Sequence, residues 1–154
     1  MTEKLLKQRI IERSISNNWE DAVKEWVVHK MYMGVETCTC GKKNINRVCI
    51  IRNSGTKRAV KVGSSCVHKF MYIPTQTVFN NIIKLQSDKL FLVKECTLQI
   101  ALDSKAITQW DFDFYLSVYK FKRKSPKQEA LLLKINHKLE TLVGLTKVSM
   151  EVIY

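Results

Sequence analysis

Four cysteines within 29 residues constrain this chain more than any other feature of its sequence. Cys38 and Cys40 belong to a C-x-C-G motif, Cys49 follows after eight residues, and Cys66 follows after a further sixteen. The first residues carry charges where a secretory signal needs an apolar core, so we expect an intracellular, cytoplasmic protein. In that reducing compartment, cysteines bind metals more often than they form disulfides. Four thiolates therefore predict a tetrahedral, structural Zn²⁺ site.

A β-hairpin would bring these cysteines together. The β-branched residues 48–52 and the alternating residues 57–62 predict its two strands, and the polar residues 53–56 predict the turn between them. Cys49 lies at the start of the first strand and Cys66 follows the second strand, so both should reach the same end of the hairpin. The glycine of the C-x-C-G motif allows a tight turn that presents two more thiolates there.

Other interpretations of the cysteines stay open. His68 is an alternative ligand in place of one cysteine, because Cys66 and His68 also have a ligand-like spacing. The cysteines could instead be small buried residues without a metal. Cys96 lies among apolar residues and is predicted to belong to the core. No acid occurs between Glu36 and Asp88, so the site lacks the general base that a catalytic zinc usually needs.

The charge of the chain coincides with its cysteines. The 154 residues carry a formal net charge of +12, and residues 38–74 contribute eight basic residues and no acid. Such segregation predicts a surface for a polyanion, and we expect nucleic acid, DNA rather than RNA, held mainly through its phosphates. The predicted contacts are Lys42, Lys43, Arg47, Arg52, Lys57, Arg58 and Lys61, with a second cluster at Lys120, Lys122, Arg123, Lys124 and Lys127.

The basic charge also fits partners other than nucleic acid. An acidic host protein would suit the same charge, and solvated surface lysines would need no partner. No apolar stretch approaches the roughly 18 residues that a spanning helix requires, so a membrane is not expected. Metal-dependent nuclease activity is a further alternative that would use Asp111 and Asp113. However, residues two apart on a helix point in different directions, and the motifs of common enzymes are absent from the sequence, so we expect no enzyme and no catalytic residue.

The overall prediction is an α+β fold, mainly helical, with a zinc-stabilised, zinc-ribbon-like hairpin. We expect a single domain, residues 1–154, composed of N-terminal helices in 1–36, the basic zinc module in 37–73 and a helical region in 74–154. Apolar periodicity and capping residues predict helices at 3–15, 19–31, 64–70, 77–102, 108–121 and 125–142, with a closing strand in 145–154. The aromatic residues of segment 110–115 could be exposed and stack on unpaired bases, but their helical spacing favours the core, and Trp26 is also predicted to lie in the core.

The order of these motifs resembles that of small proteins from bacteriophages and large DNA viruses that carry a zinc-ribbon-like segment. The resemblance spans about two-thirds of the chain in short motifs. It implies a zinc-binding module and a role in viral or mobile-element DNA metabolism, within a host cell. The residues that carry it are Ala22, Glu25-Trp26, Cys38-Thr39-Cys40-Gly41, Ile45, Cys49, Asn53, Val62 to Val67, Phe70, Trp110, Phe114, Ser125-Pro126-Lys127-Gln128 and Ile135-Asn136.

Overall fold

The α+β class is confirmed by a computed structural model, which describes residues 3–144. The chain divides into two compact units. The first consists of residues up to Thr75 together with Gly144, and the second of Gln76–Val143. Within residues 3–144 the elements are α1 (Glu3–Glu12), α2 (Trp19–Ala22), a 3-10 helix (Val23–Glu25), β1 (Trp26–Glu36), β2 (Ile45–Asn53), β3 (Ala59–Gly63), α3 (Ser64–Met71), α4 (Thr75–Ser87), α5 (Glu95–Asp103), α6 (Gln109–Val118), α7 (Pro126–Glu140) and β4 (Val143–Gly144).

The predicted hairpin is formed by β2 and β3 and lies in a sheet of order β3-β2-β1-β4. Strand β2 pairs antiparallel with both β1 and β3, and Cys49 faces Met31 on one side and Val62 on the other. Strands flank β2 on both edges, and its middle, residues 48–51, is apolar. Five of its nine residues are therefore almost fully buried: Val48, Cys49, Ile50, Ile51 and Asn53. The hairpin is therefore the centre of the first unit.

The helix predicted over residues 19–31 is wrong. Helix α2 stops at Ala22, and the 3-10 turn leads into β1, which is the longest strand among residues 3–144. Trp26, Val27 and Val28 have high strand propensity, and β1 finds a partner in β2 along nearly its full length. Register shifts after Val28 and after Met33 interrupt the alternation of β1, which hid the strand pattern in the sequence.

The Glu25 carboxylate connects the segment that follows α1 to the hairpin turn. Glu25 accepts hydrogen bonds from the backbone N–H groups of Ile15 (2.8 Å) and Ser16 (3.0 Å), and from the Asn53 side-chain amide (2.9 Å). The Ser16 side chain first, then Asn53 and the Ile15 N–H, lower the pKa of Glu25 to about 2, because they favour its charged form. Since Asn53 begins the hairpin turn, ionised Glu25 fixes the N-terminal segment against that turn.

We expect Glu25→Gln to destabilise the fold at pH 7, because an amide cannot accept all three hydrogen bonds. The folded pKa of Glu25 lies below its ordinary value of 4.5, so its contribution is complete above that value and is lost as the pH falls towards about 2. Denaturation midpoints of the two proteins should therefore differ at pH 7 and converge near pH 2.5. The exposed Glu20 on α2 supplies the control, Glu20→Gln. A difference that stays constant over this pH range would contradict the assignment.

The second unit consists of helices with a buried polar connection. The segment predicted as one helix, residues 77–102, is two helices because residues 88–94 leave the helical path. The Tyr115 hydroxyl lies 2.7 Å from Asn136 Oδ1, and Asn136 Nδ2 donates to the Lys89 carbonyl at 2.8 Å. The backbone N–H of Val93 donates to the same hydroxyl at 3.0 Å. These bonds stabilise the irregular segment between α4 and α5.

Both helix starts predicted from capping residues in this unit are confirmed. Thr108 caps α6 and Ser125 caps α7, each with a complete capping box. No helix within residues 3–144 has the length and the apolar composition needed to cross a membrane. The closing strand predicted over 145–154 lies outside the described residues.

Candidate metal centre

Three of the four predicted cysteine ligands converge in the first unit. The Sγ atoms of Cys38, Cys40 and Cys66 all lie within 4.8 Å of one another. Cys38 and Cys40 are buried and Cys66 is half-buried. Three thiols at this separation can hold a metal ion, and sulfur ligands favour soft or borderline ions such as Zn²⁺.

The C-x-C-G segment forms the expected turn. The Gly41 N–H donates to the Cys38 carbonyl at 2.8 Å, and Gly41 has a φ of 99°, which favours glycine. Thr39 anchors the turn to β3, because its hydroxyl donates to the Lys61 carbonyl at 2.7 Å. Arg9 of α1 donates to the Thr39 carbonyl at 2.9 Å. The two thiols of the turn are thus held from both sides.

Helix α3 supplies the third thiol. It begins directly after β3, as predicted, and Cys66 lies in its first turn. The Cys38 sulfur accepts hydrogen bonds from the N–H groups of Gly63 (3.2 Å) and Cys40 (3.4 Å). The Cys66 thiol is the strongest of the donors that lower the pKa of Cys38, whereas its own pKa is raised by the same pairing. Cys38 is therefore the group most easily present as a thiolate, the form that binds metals.

Cys49 and His68 lie outside this group of sulfur atoms. The strand β2 begins at Ile45, before the predicted start at residue 48, so Cys49 is its fifth residue. It is fully buried beside Thr75, and burial raises its pKa to about 12. His68 is exposed on α3, two residues beyond Cys66. Cys96 lies on α5 in the second unit and is half-buried.

The basic residues of the hairpin lie at its two ends and on both faces of the sheet. Lys42 and Lys43 are exposed beside the cysteine turn, whereas Lys57 and Arg58 are exposed at the β2–β3 turn. Within residues 3–144 none of these four forms an ion pair. The charges are therefore free to meet a ligand, but they do not form one continuous patch.

The remaining hairpin cations are less available. Arg47 and Arg52 are five residues apart on a regular stretch of β2, so they lie on opposite faces of the sheet. Both are half-buried, and the buried Arg52 Nε has no hydrogen-bond partner among the described residues. Lys61 pairs with Glu36 at 3.2 Å, which offsets its charge. The exposed cations at the hairpin ends are thus better placed to contact a ligand than the cations along its strands.

The second basic cluster joins α6 to α7 in the second unit. Lys120, Lys122, Arg123 and Lys127 are exposed, Lys124 is half-buried, and none forms an ion pair among the described residues.

Asp111, considered above as a nuclease ligand, is engaged in structural bonds. It accepts from the Thr108 N–H at 3.1 Å and from Lys138 Nζ at 2.8 Å. Burial acts to raise the pKa of Asp111, but these two donors lower it overall. Asp113 is exposed and accepts from the Gln109 side chain at 3.0 Å.

The aromatic segment 110–115 is only partly in the core. Tyr115 is fully buried, as predicted, and Trp26 is also buried. Trp110 is 59% exposed, so its predicted core position is wrong. Sequence periodicity could have indicated this, since Trp110 falls outside the apolar face that includes Tyr115.

The comparisons with protein-family models, with curated proteins and with solved structures found no match.

Proposed function

We propose that this chain is a zinc-containing, basic nucleic-acid-binding protein in which the metal has a structural role. The observation that carries the proposal is the convergence of Cys38, Cys40 and Cys66 at the base of a hairpin with exposed, unpaired cations at both ends. A metal there would join the cysteine turn, the end of β3 and the start of α3. It would thereby hold the hairpin rigid against a phosphate backbone.

The charge distribution supports nucleic acid as the partner. Residues 38–74 contain eight basic residues and no acid. Bound Zn²⁺ would neutralise part of the thiolate charge, and the exposed lysines and arginines exceed what the remainder requires. A place in viral or mobile-element DNA metabolism rests on the sequence resemblance alone.

The test combines metal analysis with binding measurements. The purified protein should contain about one equivalent of zinc and should bind short DNA and RNA oligonucleotides at low salt. Affinity should fall as salt rises, by a log–log slope of about 0.9 for each duplex phosphate neutralised. Removing the metal with a chelator should weaken binding. Negligible affinity for DNA and RNA at low salt would refute the proposal, whatever the metal content.

A further inference from the structure

An exposed pair of aromatic rings lies at the start of α6. The rings of Trp110 and Phe114 are stacked, with centroids 5.3 Å apart and an interplanar angle of 4°. The Trp110 side chain remains 59% exposed. Because the two residues are one helical turn apart, the helix holds the rings parallel before any ligand arrives. A large ring held flat and open to solvent is a platform on which another flat ring can stack.

Helix α6 leads from the aromatic platform into the second basic cluster. Phe121 is 48% exposed and lies three residues beyond the end of α6. The Phe121 N–H donates to the Val118 carbonyl at 3.2 Å, which closes a turn directly after the helix. Ser117, in the last turn of α6, is exposed as well. The aromatic platform at the start of α6 and Phe121 after its end are together called the aromatic face.

Cations surround the far end of this face. Residues 114–128 contain five basic residues and no acid. Lys120 and Lys122 flank Phe121 directly, and both are exposed. Exposed rings followed by exposed cations suit a ligand that offers both flat bases and phosphates.

We propose that this face, Trp110, Phe114 and Phe121 with the 120–127 cluster, binds single-stranded nucleic acid by stacking unpaired bases on its rings. This inference rests on the proposed function and names the form of nucleic acid that it takes. Single strands expose the faces of their bases, which a duplex conceals, and aromatic stacking is how sequence-tolerant single-strand binders gain affinity. An apolar peptide would use the rings but would leave five cations without partners.

The experiment measures binding of a labelled oligo(dT) strand, and of a duplex of equal length, by fluorescence anisotropy at low salt. We expect Trp110→Ala and Phe121→Ala each to weaken oligo(dT) binding about 5- to 100-fold and to leave duplex binding nearly unchanged. Trp110→Phe should keep most of the wild-type affinity for oligo(dT), because it retains an aromatic ring. Leu133→Ala is the matched control, since Leu133 is 43% exposed on α7 in the same unit. Circular dichroism confirms that each variant is folded.

Each contrary outcome has a separate meaning. If the wild-type protein binds nucleic acid and neither ring variant weakens oligo(dT) binding, this inference is wrong and the proposed function stands. If the wild-type protein binds neither probe, both are wrong. Vesicles of phosphatidylserine and phosphatidylcholine give the remaining arm. Binding to these vesicles with a blue shift of tryptophan emission that Trp110→Phe removes, and without affinity for oligo(dT), would assign the face to an anionic lipid surface and overturn the inference.

Discussion

Replacing Cys38 or Cys66 by serine is expected to weaken metal binding by at least about 100-fold, because even residues that only support a metal ligand contribute 10- to 100-fold. The sulfur atoms of Cys38, Cys40 and Cys66 lie within 4.8 Å of one another, so each substitution removes one of three convergent ligands. Serine keeps the size of the side chain but does not ionise at neutral pH. The loss therefore reports on ligation rather than on packing.

The measurement is metal content after dialysis, together with titration by Co²⁺, whose thiolate charge-transfer absorption reports sulfur ligation. Cys96→Ser is the matched control, because Cys96 is half-buried, belongs to the second unit and is not a member of the cysteine group. Cys49→Ser tests the fourth predicted ligand. Since the Cys49 sulfur lies outside the group, we expect this variant to retain its metal. Retention of metal by both Cys38→Ser and Cys66→Ser would refute the site.

Chelation should destabilise the first unit, which contains the cysteine group. The metal would connect the cysteine turn to α3, and the binding free energy of a structural metal is also folding free energy. We therefore expect a chelator to lower the thermal midpoint of the wild-type protein and to leave that of Cys38→Ser unchanged.

The sequence predicted the metal group because its signal is local. The C-x-C-G turn needs only a glycine that tolerates a positive φ, and Gly41 adopts 99°. Cys66 lies in the helix that directly follows β3, so the prediction of the hairpin also located the third thiol of the metal group. Cys49 was predicted to lie at the same end of the hairpin, and its pairing with Val62, one pair from the last of the ladder, is consistent with that position. Its sulfur nevertheless lies outside the group of three.

Strand β1 could not be predicted from local pattern. Its burial does not alternate strictly, because two register shifts with β2 change which residues face each side. Trp26, Val27 and Lys30 also fall at helical spacing. The segment becomes a strand because it pairs with β2, the next strand along the chain, and such pairing overrides weak local propensity.

The helices of the second unit were predicted more accurately, because their ends are encoded in side chains. Ser125, Pro126 and Gln128 produce the capping box that starts α7. The exposure of Trp110 was missed because an aromatic residue beside a buried face is most often part of it. The helical period does separate the two, because Trp110 lies outside the apolar face that includes the buried Tyr115.

Neutralising the exposed cations at the two ends of the hairpin is expected to reduce the salt dependence of nucleic-acid binding. Lys42 and Lys43 lie beside the cysteine turn, and Lys57 and Arg58 lie at the other end of β2. A strand of this length spans about 26 Å. If the hairpin lies lengthwise along a duplex, each pair meets phosphates, and removing either pair should lower the log–log slope by up to about 1.8.

The variants are Lys42→Gln with Lys43→Gln, and Lys57→Asn with Arg58→Gln. Asparagine is chosen because Lys57 has a φ of 65°, a conformation that asparagine tolerates. Lys4→Gln with Lys24→Gln removes two exposed charges from the neutral N-terminal region and is the matched control. Slopes come from duplex affinities measured over a range of salt. A reduced slope for one pair alone would contradict lengthwise docking. An unchanged slope for both pairs would show that the hairpin does not contact the nucleic acid, because losing phosphate contacts reduces the number of counterions released.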